Sequence, residues 1–151
     1  MNIIQPYDDN YFMKRALQEA EMAYEKKEVP IGAVIVINNQ IIARAHNLTE
    51  TLNDVTAHAE MQAITAASNF LGGKYLNNCI LYVTIEPCQM CAGALFWSQI
   101  SKIIYGARDE QRGCISMGTQ LHPKTVMTGG ILAEEASQLL KKFFIEKRNL
   151  N

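Results

Sequence analysis

Two short segments carry most of the residues able to do chemistry. Thr56-Ala57-His58-Ala59-Glu60 supplies an imidazole and, two residues on, a carboxylate; Glu86-Pro87-Cys88-Gln89-Met90-Cys91 supplies two thiols three positions apart. One neutral imidazole and two thiolates form a zinc donor set, and three protein ligands leave one coordination position open. Structural zinc is ordinarily closed by four protein ligands, whereas catalytic zinc keeps a place for water. On this reading His58, Cys88 and Cys91 hold one Zn2+ per subunit, and Glu60 is the acid/base that takes a proton from water and returns it to the substrate.

The spacing also sets a geometric condition. Cysteines three apart at a helix start bring their sulfurs to one side, and the helix N-terminus favours thiolate. His58 and Glu60, two apart, point to nearly opposite sides of a regular helix, so they converge only if His58 lies at its irregular entry. A C-x-x-C pair alone also serves redox motifs and zinc knuckles. The competing reading is a closed structural site with Cys79 or Cys114 as fourth ligand. Cys79 opens an apolar strand and reads as core, while Cys114 lies in a loop and stays a candidate. His46 and His122 read as polar-surface or pocket histidines.

The elements that must position these groups follow from the apolar pattern. Phe12, Ala16, Ala20 and Ala23 recur at helical spacing between Asp8 and Lys26, with Asp8 or Asp9 as cap and Pro30 beyond the end. Ile31 to Ile37 and Gln40 to Ala45, joined by Asn38-Asn39, form a hairpin whose first strand is apolar on both faces, so helices should cover both sides of the sheet. The polar stretch 47–55 leads to Thr56, the expected cap of a helix from about His58 to Asn69 that Gly72-Gly73 ends. Cys79 to Ile85 is a third strand, and Pro87 is expected at the first position of the next helix. Lys102 to Tyr105 is a fourth strand, Gly106 to Gly130 an irregular stretch, and Leu132, Ala136, Leu139, Leu140 and Phe143 a final helical stripe. This alternation predicts an α/β fold, a three-layer α/β/α sandwich with a mixed central sheet and helices on both faces.

Composition narrows the function classes. With 151 residues, 48% apolar and 19% charged, the chain suits one domain spanning 1–151. A net charge of −1 gives no global basic field, so no DNA partner is expected. Lys141, Lys142, Lys147 and Arg148, with Arg108, Arg112 and Lys124, are either a local phosphate-binding surface or solvated faces. The N-terminal residues lack a charged-then-apolar leader, no run is long enough to span a membrane, and four unevenly spaced cysteines do not make a disulfide framework. The expectation is a soluble cytoplasmic protein.

Beyond the two segments, Glu28-Val29-Pro30-Ile31-Gly32-Ala33-Val34, Leu81 to Cys88, Met90-Cys91-Ala92-Gly93-Ala94, Tyr105-Gly106-Ala107-Arg108-Asp109 and Gly130 to Glu135 complete a pattern. It resembles the zinc-dependent nucleobase deaminases and, more narrowly, the bacterial tRNA-specific adenosine deaminases. The resemblance implies a single cytidine deaminase-like domain that converts the wobble adenosine of a tRNA anticodon to inosine. It implies zinc on His58, Cys88 and Cys91, and Glu60 as proton shuttle. It further implies that Asn47 hydrogen-bonds the flipped base, that the backbone at Ala59 meets the base edge, and that Asp109 contacts the neighbouring nucleotide. The implied partners are the tRNA anticodon stem-loop and a second copy of the chain, since a homodimer completes the RNA site in that family; the apolar run Met90 to Trp97 either contributes to such a surface or packs internally. One region departs: the stretch from Arg112 to Gly129 reads several residues shorter than the family's RNA-contacting loop. That leaves a free nucleobase or nucleoside (guanine, cytosine or adenosine type) as the alternative substrate. A third reading is a non-catalytic zinc-stabilised RNA-binding module.

Overall fold

A computed structural model describes residues 7–150. Part of the N-terminal stretch read above for a targeting signal lies outside those residues. The Asp8 carboxylate accepts the Tyr11 amide at 2.8 Å and caps helix α1, Asp9–Glu25. Phe12, Met13, Ala16, Ala20 and Ala23 are the buried stripe of α1. The helix lies directly on strand β1, Gly32–Ile37, because a side chain is missing at Gly32: a Cβ there would fall 2.1 Å from the Ala16 carbonyl oxygen.

Asn38 and Asn39 both adopt left-handed backbone, φ 50° and 60°, which makes the tight hairpin turn into β2, Gln40–His46. The chain continues through α2 (Ala59–Leu71), β3 (Cys79–Ile85), α3 (Gln89–Ser98), β4 (Lys102–Ala107), β5 (Val126–Gly129) and α4 (Ala133–Asn149). The sheet order is β2-β1-β3-β4-β5. β1 is antiparallel to both β2 and β3, while β3, β4 and β5 are parallel.

Alternation along the strands sends side chains to two cores. Ala33, Ile35, Leu81, Val83 and Ile103 pack with Ala63 and Ala67 of α2 and Leu95 of α3. Val34, Val36, Tyr82 and Ile104 pack with Phe12, Met13 and Ala16 of α1. A smaller cluster, Ile85, Ala107 and Ala136, seats α4 beside α1. The expected three-layer α/β/α sandwich with a mixed sheet is therefore what the chain forms. Among the described residues no helix is long and apolar enough to cross a membrane.

Three local expectations are corrected. Thr56 does not cap α2; its amide and hydroxyl both bond the Asp54 carboxylate at 2.8 Å, and His58 itself is the N-cap residue. Pro87 is not the first residue of α3 but precedes Cys88, the N-cap, because the Pro87 carbonyl accepts the Cys114 amide at 2.8 Å and Cys88 bridges Gly113 in extended form. The stretch Gly106 to Gly130 is not wholly irregular: it ends in β5, an edge strand whose pairing with β4 supplies what four mostly exposed residues lack locally.

Candidate metal centre

The N-termini of α2 and α3 are the scaffold of the site. His58 and Cys88 occupy the two N-cap positions in extended backbone (φ −72°, ψ 157° and φ −73°, ψ 173°), and Cys91 follows one turn into α3. This is the irregular entry that the two-residue spacing of His58 and Glu60 required. Gln62 holds the entry in place, donating from Nε2 to the backbone oxygens of His46 and Ala57 at 2.8 and 3.1 Å.

His58 Nδ1 lies 3.7 Å from Cys88 Sγ and 3.5 Å from Cys91 Sγ, and the three ligand atoms are all within 4.8 Å of one another. Tetrahedral zinc, with bonds of about 2.0–2.1 Å to nitrogen and 2.3 Å to sulfur, separates those atoms by about 3.6 Å. The donor set and its spacing fit the ion. Among the described residues neither Cys79 nor Cys114 joins the group; both are buried.

The protons in the cluster tell the same story. The hydrogen bond from Cys91 holds the Cys88 thiol down at about 4, against burial, with His58 assisting. The same bond, together with burial, drives the Cys91 thiol strongly upward. Hydrogen bonding to Cys88 raises His58 despite desolvation. The two thiols are thus pushed in opposite directions by each other, whereas zinc binding requires both as thiolates. Glu60 is 4% exposed, and burial pushes its carboxyl up to about 7, opposed by its own backbone amide and by His58 and Cys91.

A cleft of about 270 Å3 opens on this cluster. The structure brings Asn47, Ala59, Glu60 and Asp109 to its walls beside His58 and Cys88, with Leu140 and Phe144 of α4 on another side. Asn47 also accepts the Thr49 amide at 3.4 Å, so its turn-forming chemistry is present as well. The Asp109 carboxylate accepts the amides of Gln111 and Arg112 at 3.2 and 3.0 Å.

His46 is corrected from a surface or pocket residue to a buried one: Lys26 Nζ sits 3.0 Å from Nε2, which leaves Nδ1 to donate to Glu19 at 3.1 Å. His122 accepts the Lys124 amide at 3.1 Å and tilts against Phe96. Two carboxylates were missed by sequence reasoning. Glu28, fully buried, accepts the Glu50 and Thr51 amides and the Thr51 hydroxyl, tying down the loop that follows Asn47. Glu86, 3% exposed, accepts from Arg108, Asp109 and Ile115. The available signal was a carboxylate beside an apolar strand in each case, since such a group must find donors when buried.

Residues 6–107 match the family described as the cytidine and deoxycytidylate deaminase zinc-binding region. Over 146 residues the chain is 46% identical to the tRNA-specific adenosine deaminase of Bacillus subtilis, covering 93% of this chain and 91% of that protein. The chain belongs to this deaminase family. A solved structure from a study of A-to-I editing by tRNA:A34 deaminases at the wobble position of transfer RNA superposes with a TM-score of 0.81 at 41% identity, covering 85% of this chain and 98% of that one. The guanine deaminase of B. subtilis superposes with a TM-score of 0.66 at 38% identity, over 75% and 71% of the two chains. The shared family agrees with the zinc donor set that the geometry presents.

Proposed function

We propose that this chain, acting as one domain, hydrolyses the C6 amino group of the wobble adenosine in a tRNA anticodon, giving inosine and ammonia. The observation that carries the reading is the buried Glu60 carboxyl on the cleft beside His58, Cys88 and Cys91, in a chain near half identical to a tRNA-specific adenosine deaminase.

His58, Cys88 and Cys91 hold the ion. Bound there, zinc supplies the Lewis acidity that makes water a nucleophile at neutral pH. Glu60 takes a proton from the attacking water and delivers it to N1 of the base as oxygen adds to C6. It then carries the second proton to the departing amine, so the C6–N bond breaks with loss of ammonia and the ring retains a carbonyl. Burial of the Glu60 side chain favours its protonated form, the form that donates to the base and to the leaving amine. Asn47 hydrogen-bonds the extruded base, the backbone at Ala59 meets its edge, and Asp109 contacts the adjoining nucleotide. The enzyme works as a homodimer in the cytoplasm, where its tRNA substrate is.

A free purine base is the second reading, favoured by the 38% identity to the B. subtilis guanine deaminase. Incubation of the zinc-loaded protein with an anticodon stem-loop containing wobble adenosine, beside free guanine, adenosine and cytosine, separates the two. Inosine in the RNA is expected; turnover of free guanine with untouched RNA overturns the proposal. Glu60→Ala should retain its zinc and lose activity by a factor of about 10²–10⁴ or more, the usual worth of a positioned acid/base. Undiminished product from that variant would refute the assigned shuttle.

A further inference from the structure

The carboxylate of Glu86 is a buried charge with three hydrogen-bond donors on it, and the chemistry above leaves it without a role. It stands at the end of β3, directly before Pro87-Cys88, with its side chain fully shielded from solvent. Oε1 accepts Arg108 Nε and the Asp109 amide, each at 3.1 Å, and Oε2 accepts the Ile115 amide at 2.9 Å. A buried carboxylate is tolerated only when its lone pairs are met in this way.

The placement of those donors matters more than their number. Arg108 and Asp109 begin the segment that leaves β4, and Ile115 lies on its return. One carboxylate therefore pins both ends of a loop that projects Asp109 and Arg112 onto the cleft wall. Within that loop the Gly113 amide donates to the Asp109 carbonyl at 2.8 Å. Gly113 itself lies against the carboxylate, where a Cβ would come 2.2 Å from Oε2. On the other side of the same contact, Cys88 bridges Gly113 and the Cys114 amide donates to the Pro87 carbonyl. The backbone of a candidate metal ligand and the backbone that presents Asp109 are thus locked together around a single side chain.

We infer that Glu86 is a positioning residue, which sets the Asp109–Arg112 wall at a fixed distance from the His58, Cys88 and Cys91 centre and so governs how the nucleotides flanking the reacting base are held. The inference rests on the tRNA deaminase reading. It assigns Glu86 to substrate capture rather than to proton transfer, because both of its oxygens accept from the loop.

Two variants disturb the contact from opposite sides. Glu86→Gln keeps the shape but removes one acceptor and the charge; Gly113→Ala keeps the charge but forces the loop off it. In both, amide hydrogen exchange at Asp109 and Ile115 should accelerate while one zinc per chain is retained. The KM for the stem-loop should rise about tenfold or more, the scale of a lost charge-assisted hydrogen bond, with kcat changed much less. Agreement between the variants guards against failure of either one to fold. A role in the fold alone predicts falling thermal stability, zinc content and kcat together at constant KM, and that result overturns the inference, as does unchanged exchange at Asp109 and Ile115. Exchange reports on the contact without any turnover. A wild-type protein that makes no inosine therefore refutes the substrate reading, while the exchange data still judge the anchor.

Discussion

At the scale of single residues, the buried acidic groups Glu28, Glu60 and Glu86 each depend on a different set of partners. His58, Cys88, Cys91 and Glu60 announce themselves because imidazole, thiols and carboxylate at short spacing have few other uses. Glu28 has no such signature: within Glu25-Lys26-Lys27-Glu28 it looks like a polar helix stop, and only the folding of Glu50 and Thr51 onto it reveals its task. That task has a pH dependence. Burial pushes the Glu28 carboxyl up, but the hydrogen bonds from Thr51 and Glu50, with His46 nearby, more than offset it and leave the pKa below its ordinary 4.5. A depressed carboxylate stabilises the folded state fully above the unfolded value and ceases to do so as pH falls through the lower folded value. The wild type should accordingly lose stability to urea below about pH 4.5, and Glu28→Gln should be less stable at pH 7 with a flatter decline on acidification. Parallel declines in the two proteins would remove Glu28 from the acid response.

At the scale of elements, the strongly periodic pieces were readable and the boundaries were not. The α1 stripe and the β1–β2 hairpin carry their own patterns, down to the Asn38-Asn39 turn. By contrast β5 has no alternation to read, and it is a strand only because Lys102 to Tyr105 offers it an edge. The shifted starts of α2 and α3 have related origins: Gln62 of α2 bonds the Ala57 carbonyl and the Cys114 amide bonds the Pro87 carbonyl, in each case at the residue before the extended cap, which helix propensity does not encode. What sequence alone could not supply, the spacing between layers, centres on Gly32. A Cβ there meets the Ala16 oxygen at 2.1 Å and the Ala20 nitrogen at 2.4 Å, both backbone atoms of a helix that cannot step aside without unpacking Phe12 and Met13. Gly32→Ala should destabilise the protein by about 3 kcal/mol, the upper range for overpacking, as read from urea unfolding. A change within about 0.5 kcal/mol, the range of surface substitutions, would show that α1 floats on the sheet rather than being seated on it.

At the scale of the molecule, the cleft draws on the ends of β2 and β4, the starts of α2 and α3, and one face of α4, so no contiguous piece of sequence contains it. Family resemblance could nominate Asn47, Ala59 and Asp109, yet only the fold shows them facing one space with Glu60. The outer surface raises the matching question of assembly. Trp97, on the last turn of α3, is 77% exposed, although Leu95 and Ser98 beside it are buried. A large aromatic left in water gains by burial against a partner, and tryptophan is among the residues that dominate interfaces. Sedimentation of the zinc-loaded protein at micromolar concentration should give twice the 16.9 kDa chain mass. Trp97→Glu should shift that equilibrium toward the monomer, since a carboxylate placed in an apolar contact must give up its hydration. Because the side chain has little to pack against within its own chain, the zinc content should remain unchanged. Deamination of stem-loop RNA should fall with the loss of the dimer if a second copy completes the RNA site. A wild-type monomer at those concentrations would remove the partner copy from the mechanism and leave the cleft of one chain to bind the RNA alone.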